Sequence, residues 1–358
     1  MVWFLLGLII FTYIINRLTL AYGFLNLDYK MELDKTVAEI GEPIEISSIV
    51  ENKKPLNVSF LKITENFSKG FSVRKNQYKI FIMPYQRVVR KYKVFVQQRG
   101  LYSINNVDFE VGDFAGFRTK KKTLLMKKEV VILPRKLDLK DSIVALGSLS
   151  GDISVRRWII DDPLMTIGIR EYTGNEPERF IHWPSSIKYG NLMVKNFDFT
   201  SDNSVMVVLN IETMKPSFKP AEWDIIEKAI SLTRGVLEEF QEAKIPYGFA
   251  NNSNDCTSEH RKSHYYYPGL GQNHLKGFLE ILGRIDDKIP LSFVTMLKDL
   301  SKKQGNYSTI VIVTPRLLDN YIQSINLLSK TVNNTVVISL EDTLLEQLDK
   351  NITKYRSS

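Results

Sequence analysis

The chain has 358 residues, long enough for two or three domains, each with its own hydrophobic core. Hydrophobic residues at 44% and charged residues at 25% exclude a wholly disordered or collagen-like polymer, and the single cysteine, Cys256, excludes an intrachain disulfide framework and any multi-cysteine metal cluster. The net charge of +8 sits in the front half: residues 201–358 hold 18 Lys+Arg against 19 Asp+Glu, leaving 30 against 21 in residues 1–200.

Val2 to Ile15 is an unbroken run of 14 uncharged, mainly bulky apolar residues. As a helix it measures about 21 Å. With extension past Asn16 and Arg17, where the arginine snorkels to an interface, residues 1–27 are expected to form a transmembrane anchor. A cleaved signal peptide competes, but no basic segment precedes the run and no Ala-x-Ala exit follows it. Arg17, Lys30 and Lys35 all follow the span, so the positive-inside rule predicts a single-pass cell-membrane protein with a cytoplasmic body.

Residues 30–133 read as an all-β sandwich. Short alternating runs around Ile44–Ser48, Val58–Ile63, Tyr78–Met83, Val88–Gln97, Tyr102–Ile104, Val107–Val111 and Lys127–Leu133 are separated by turn residues, and Asn105-Asn106 suits a tight hairpin. Arg118 to Lys136 carries eight basic groups and only Glu129 as an acid. A solvated hairpin and a contact with anionic lipid headgroups both fit this run, whereas nucleic acid fits it poorly.

Residues 137–200 form a connector with the least generic composition in the chain. Arg156-Arg157-Trp158, Asp161-Asp162, Arg170-Glu171-Tyr172-Thr173-Gly174 and Arg179-Phe180-Ile181-His182-Trp183 interleave guanidiniums with aromatic rings. Such groups stack and form bidentate hydrogen bonds. Arg170, Tyr172, Arg179, His182 and Trp183 are therefore candidates for an interaction surface or a domain joint, with plain structural packing as the competing reading.

From residue 201 to 358 the hydrophobic period alternates between strand and helix. Val205–Leu209 and Thr309–Val313 are continuous apolar runs of the kind found in sheets covered on both faces, and Thr335–Leu340 closes the series. Trp223, Ile226, Ile230, Thr233, Leu237 and Phe240 place a stripe on a helix opened by Pro220, Glu222 and Asp224. Helices are also expected around Leu275–Ile285, Phe293–Leu300, Leu318–Leu328 and, sealing an edge, Glu341–Lys350. The order predicts an open, mostly parallel α/β sheet with helices on both faces. Ligands of such sheets sit beyond the carboxyl ends of the strands, which points to residues 210–214, 251–272 and 314–316. Tyr265-Tyr266-Tyr267-Pro268-Gly269 reads as a loop over that edge.

The block Arg170-Glu171-Tyr172 with Gly174, then Arg179-Phe180-Ile181-His182-Trp183, Ser186, Lys188, Leu192 and Val194, followed by the Val205–Leu209 strand, resembles the signature of the bacterial family called domain of unknown function 58. Arg99-Gly100-Leu101-Tyr102 and Val111-Gly112-Asp113-Phe114-Ala115-Gly116-Phe117 extend the likeness upstream, so that it covers residues 30–340. The resemblance implies a von Willebrand factor A-like domain preceded by an immunoglobulin-like β-sandwich and an N-terminal membrane helix. It also implies a membrane-associated partner of a MoxR-type AAA ATPase, acting in assembly or maturation of protein complexes or the cell envelope. Where the family has gly-asp, this chain has Gly174-Asn175.

Related A-type domains hold a divalent cation with Asp-x-Ser-x-Ser; the corresponding positions here are Asn210, Glu212 and Met214. One charged oxygen and a thioether make a poor shell for a hard cation, so a metal-free, cofactor-free domain is expected. A rival set is Cys256, His260, His264 and His274, which has the ligand types of a zinc site although it lacks the glutamate of His-Glu-x-x-His. Phosphate-loop, dinucleotide and nucleophile-elbow motifs are absent. The expected function is a non-enzymatic, membrane-anchored interaction or adaptor protein with a protein partner. Two alternatives stay open: a zinc-dependent hydrolase using Cys256–His274, and an exported adhesion or envelope-structural protein.

Overall fold

The computed structural model describes residues 2–113, 118–139, 143, 166–172, 181–197, 204–213, 223–254, 264–302, 307–341 and 344–356. The chain divides into two units, Met1–Arg135 and Lys136–Ser358.

The first unit opens with helix α1 (Val2–Ala21). Strands β1 (Leu27–Leu33), β3 (Ile44–Asn52) and β6 (Arg87–Val94) form an antiparallel sheet in the order β1-β3-β6. The other sheet has the order β2-β8-β7-β4-β5, built from β2 (Val37–Ala38), β4 (Val58–Phe67), β5 (Lys75–Ile82), β7 (Gly100–Gly112) and β8 (Thr119–Ile132). Alternation turns every second residue inward. Met31, Ile44 and Ile46 of one sheet thus share a core with Leu61, Ile63, Ile104 and Phe109 of the other. Asn105-Asn106 makes no hairpin: both residues lie inside β7, and the irregularity there is a shift in register against β8 between Ile104 and Asn106.

Among the described residues, no helix is long and apolar enough to cross a membrane, which overturns the expected transmembrane anchor. The uninterrupted apolar run, about 21 Å as a helix, is shorter than the roughly 30 Å hydrocarbon core. The polar turn that ends it is engaged elsewhere, since the Asn16 side-chain amide donates to the Asp113 carboxylate at 2.9 Å. Just beyond, Lys54 is buried and donates to the carbonyls of Gly23 and Leu25, both at 3.0 Å, which ties the exit of α1 to the sandwich. The single-pass cell-membrane location and the cytoplasmic orientation rest on the span and fall with it.

The second unit contains a hairpin of β9 (Thr166–Glu171) and β10 (Met193–Phe197) around a short helix α2 (Trp183–Tyr189). Its main sheet runs β13-β12-β11-β14-β15-β16. These strands are β11 (Val205–Leu209), β12 (Tyr247–Asn251), β13 (His264–Gly269), β14 (Thr309–Thr314), β15 (Asn334–Ser339) and β16 (Ile352–Arg356). Helices α3 (Trp223–Glu242), α4 (Gln272–Arg284), α5 (Phe293–Lys302) and α6 (Asp319–Ser329) accompany it. Met206, Val208, Ile310 and Ile312 pack with Phe293 and Leu297 of α5 and with Tyr321 and Ile325 of α6, while α3 lies against β11 and β14. Gly235 of α3 admits the segment entering this unit, because a Cβ there would lie 2.2 Å from the Leu137 carbonyl oxygen.

The expected fold class is corrected: the described chain is mostly β, its two larger sheets are mixed, and among the described residues no helix qualifies as the membrane anchor that class requires. Tyr265–Gly269 is no loop but part of β13, which pairs antiparallel with β12. The expected edge helix Glu341–Lys350 is replaced by a single 3₁₀ turn at Leu345–Gln347, and β16 takes the edge, parallel to β15.

Candidate functional site

The carboxyl ends of β11, β12 and β14 meet in a buried polar cluster. Leu209 ends β11, and Asn210 follows it with its side chain fully enclosed. Its Oδ1 accepts from the Glu212 backbone N–H at 2.9 Å and from the Asn252 amide at 2.8 Å; its Nδ2 donates to Thr314 Oγ1 at 3.0 Å and to the Glu212 carbonyl at 3.2 Å. Both donors and both acceptor sites of the amide are thus occupied. Glu212 Oε2 accepts from the backbone N–H of Phe293 at 2.9 Å, where its charge meets the positive end of α5. Burial, reinforced by this carboxylate, pushes the Tyr321 hydroxyl far above the ordinary tyrosine range. Arg316 forms a two-pronged pair with Glu341, one prong at 2.8 Å, and holds that carboxyl below its usual range. This cluster cross-links strand ends; its chemistry is that of a structural lock.

Met214 lies outside the described residues, and so do Cys256 and His260. His264 is in β13 opposite Asn251. His274, on α4, shares a 2.8 Å hydrogen bond between Nε2 and the Tyr247 carbonyl and packs edge-on against Phe278 with ring centroids 4.3 Å apart. That nitrogen is engaged by the backbone. Among the described residues no three His, Cys, Asp or Glu side chains gather in a metal-holding group.

Of the connector candidates, Arg179 lies outside the described residues, and Arg170 is described only as a β9 residue opposite Val194. The Tyr172 N–H donates to the Leu192 carbonyl at 2.8 Å. His182 acts locally. Its backbone N–H donates to the Met193 carbonyl at 2.7 Å, and as the cap of α2 its Nδ1 accepts from the Ser185 N–H at 3.3 Å. Pro184 suits the first turn of α2, where its missing N–H costs nothing. Gly190, at φ +73°, supplies the left-handed residue that ends the helix.

The polarity of α2 is inverted. Its buried residues are Ser185 and Ser186, whereas Trp183 is 60% exposed, Ile187 82% and Tyr189 62%. Leu192 and Ile169 of the neighbouring hairpin region are exposed as well. Composition alone singles out Trp183 but misses this helix. The signal is present in the His182-Trp183-Pro184-Ser185 start and the Gly190 stop.

In the first unit, the residue that sequence patterning misses is Glu65. Its carboxylate is completely buried and accepts from Tyr29, Ser48, Tyr78, Tyr92 and Asn76. Burial and the adjacent carboxylate drive all three phenols well above their ordinary range.

No family model matches the chain. No curated protein matches it either. Two solved structures of the CARDB domain of the PF1109 protein from Pyrococcus furiosus resemble part of it: a crystal structure in complex with di-metal ions and a solution NMR structure. Each is 13% identical over 30% of this chain, with a TM-score of 0.22; the aligned part covers 91% of the first and 94% of the second. At that TM-score neither carries a conclusion about fold or ligand. The von Willebrand factor A, domain-58 and MoxR associations expected from the Arg170–Trp183 block gain no support from these comparisons, and the transmembrane association is overturned because no helix among the described residues is both long and apolar enough to cross a membrane.

Proposed function

We propose that this chain is a non-enzymatic interaction protein that recruits a protein partner through the face formed by α2 and its hairpin. One observation carries the reading: α2 buries serines and shows Trp183, Ile187 and Tyr189 to solvent. A helix with this polarity is stabilised when its apolar side is covered, because each large side chain removed from water contributes about 1.5–3 kcal/mol. Tryptophan and tyrosine are also the residues that most often anchor interfaces. At the carboxyl end of the sheet Asn210 uses both donors and both acceptor sites within the fold and Arg316 is paired with Glu341, which fits a scaffold better than a reaction centre.

The test is photo-crosslinking from position 187 in the full chain, followed by mass spectrometry. A defined partner should be captured in stoichiometric yield, and capture should be lost when Trp183→Ala is added while the melting profile is retained. Undiminished capture by that variant, or turnover of a defined substrate by the purified chain, would overturn the proposal.

A further inference from the structure

Strand β8 pairs with β7 from Thr119 to Ile132, but on its other side it meets β2 only at Val131 and Ile132. Among the described residues, Thr119–Lys128 therefore has a free edge. Such an edge presents backbone N–H and C=O groups that another extended chain can complete. Five lysines occupy this stretch, all exposed: Lys120, Lys121, Lys122, Lys127 and Lys128. Leu125 stands out among them at 83% exposure.

The register distributes the charges. Lys120, Lys122 and Lys128 lie opposite Val111, Phe109 and Ile104, on the face that turns toward the core further along the strand; Lys121 and Leu125 lie opposite Glu110 and Asn106 on the other face, to which alternation also assigns Lys127. A planar anionic bilayer would meet only one of these sets. An added strand also projects side chains to both faces and meets both. Stacking of nucleic-acid bases needs aromatic platforms, and Thr119–Ile132 contains none. A second copy of β8 would set lysines against lysines, which is the usual protection of an exposed edge against self-pairing. The same charges admit an acidic strand.

We infer that the free edge of β8 is a docking site for an acidic, extended peptide segment, which adds as a strand with its carboxylates against Lys120–Lys122, Lys127 and Lys128. This surface lies in the first unit and is independent of the α2 face.

The probe is a fluorescein-labelled, glutamate-rich peptide with valine and threonine spacers, titrated into the full chain by anisotropy. Binding should weaken by about tenfold or more between low and moderate salt, since exposed charge pairs are screened. It should weaken at least as much in a Lys121→Glu, Lys122→Glu, Lys127→Glu variant, and the bound peptide should protect β8 amides from hydrogen exchange. N-methylation of alternate peptide amides should abolish binding, because it blocks strand pairing and keeps the charge. Equal binding of the N-methylated peptide, undiminished binding by the variant, or tighter binding of phosphatidylserine vesicles or an oligonucleotide would overturn the inference. Milder Lys→Gln replacements provide the same readout if the reversed-charge variant misfolds.

Discussion

The hydroxyl of Tyr29, on β1, donates to Oε1 of Glu65, on β4, at 2.8 Å, so that one phenol and one carboxylate join the two sheets of the first unit. Ser48 and Tyr92 reach the same carboxylate from the three-stranded sheet, and Asn76 and Tyr78 from the five-stranded one. A buried carboxylate without a cation is tolerated only when its lone pairs are filled, and five donors fill them here.

Glu65→Ala is therefore expected to destabilise the first unit by about 3 kcal/mol or more, because the donors left behind stay buried without an acceptor. Tyr29→Phe should cost less, about 1.5–3 kcal/mol, by removing one hydrogen bond to a charged group. Hydrogen exchange of peptides from β1, β3 and β4 reads both. A Glu65→Ala chain with native protection would refute the clamp.

Alkaline pH should weaken the same unit. The folded-state values of Tyr29, Tyr78 and Tyr92 are raised, so the unfolded chain releases those protons first. Their contribution is complete below the ordinary tyrosine value of about 10 and is lost as pH rises above it. Absorbance at the phenolate band should show these three ionising together with unfolding and not before it; in Glu65→Gln their release should shift to lower pH.

Asn210→Ala should loosen the carboxyl end of the second sheet. The substitution removes four hydrogen bonds from a fully buried position, and the Asn252 amide and Thr314 hydroxyl lose partners. The expected loss is about 1–3 kcal/mol. Exchange should rise in β11 and β14 while α2 and the first unit keep their rates.

Zinc analysis of full-length protein purified without chelator should find less than stoichiometric metal. His274 should nevertheless matter: His274→Ala breaks the bond to the Tyr247 carbonyl and the ring contact with Phe278, and should lower the melting temperature with and without added zinc. Stoichiometric zinc lost in that variant would restore the zinc reading.

The parts of the fold legible in the sequence are those set by burial on both faces. Val205–Leu209 and the run from Thr309 are apolar without interruption and form β11 and β14, and the spacing from Ile226 to Phe240 lies on α3. Local turn chemistry misleads where tertiary pairing prevails. Asn105-Asn106 has the composition of a turn, yet the ladders with β4 and β8 carry β7 straight through it, with the irregularity taken up in the register. The three tyrosines from Tyr265 resemble a loop in sequence because an edge strand needs no apolar alternation.

Site residues are less legible, because residues of reactive type such as Asn210 and His274 commit their polar groups to hydrogen bonds within the fold. Asn210 and Glu212 are located by the rule for strand ends, but their hydrogen-bond partners come from positions as distant as Asn252, Phe293 and Thr314. Glu65 shares the parity of Leu61 and Ile63 along β4, but a glutamate is seldom fully buried, so hydrophobic patterning passes over it. Nothing nearby in the sequence announces donors at residues 29, 48, 78 and 92.

Asn76 and Tyr78 reach Glu65 from β5, the neighbour of β4 in its own sheet, but Tyr29, Ser48 and Tyr92 arrive from the other sheet, so the carboxylate is fully enclosed only once β1, β3 and β6 pack over β4. We expect its dehydration on the late side of the kinetic barrier, after β4 and β5 have paired. Weakening the cluster should leave the refolding rate nearly constant and hasten unfolding, giving this unit a shorter lifetime once folded.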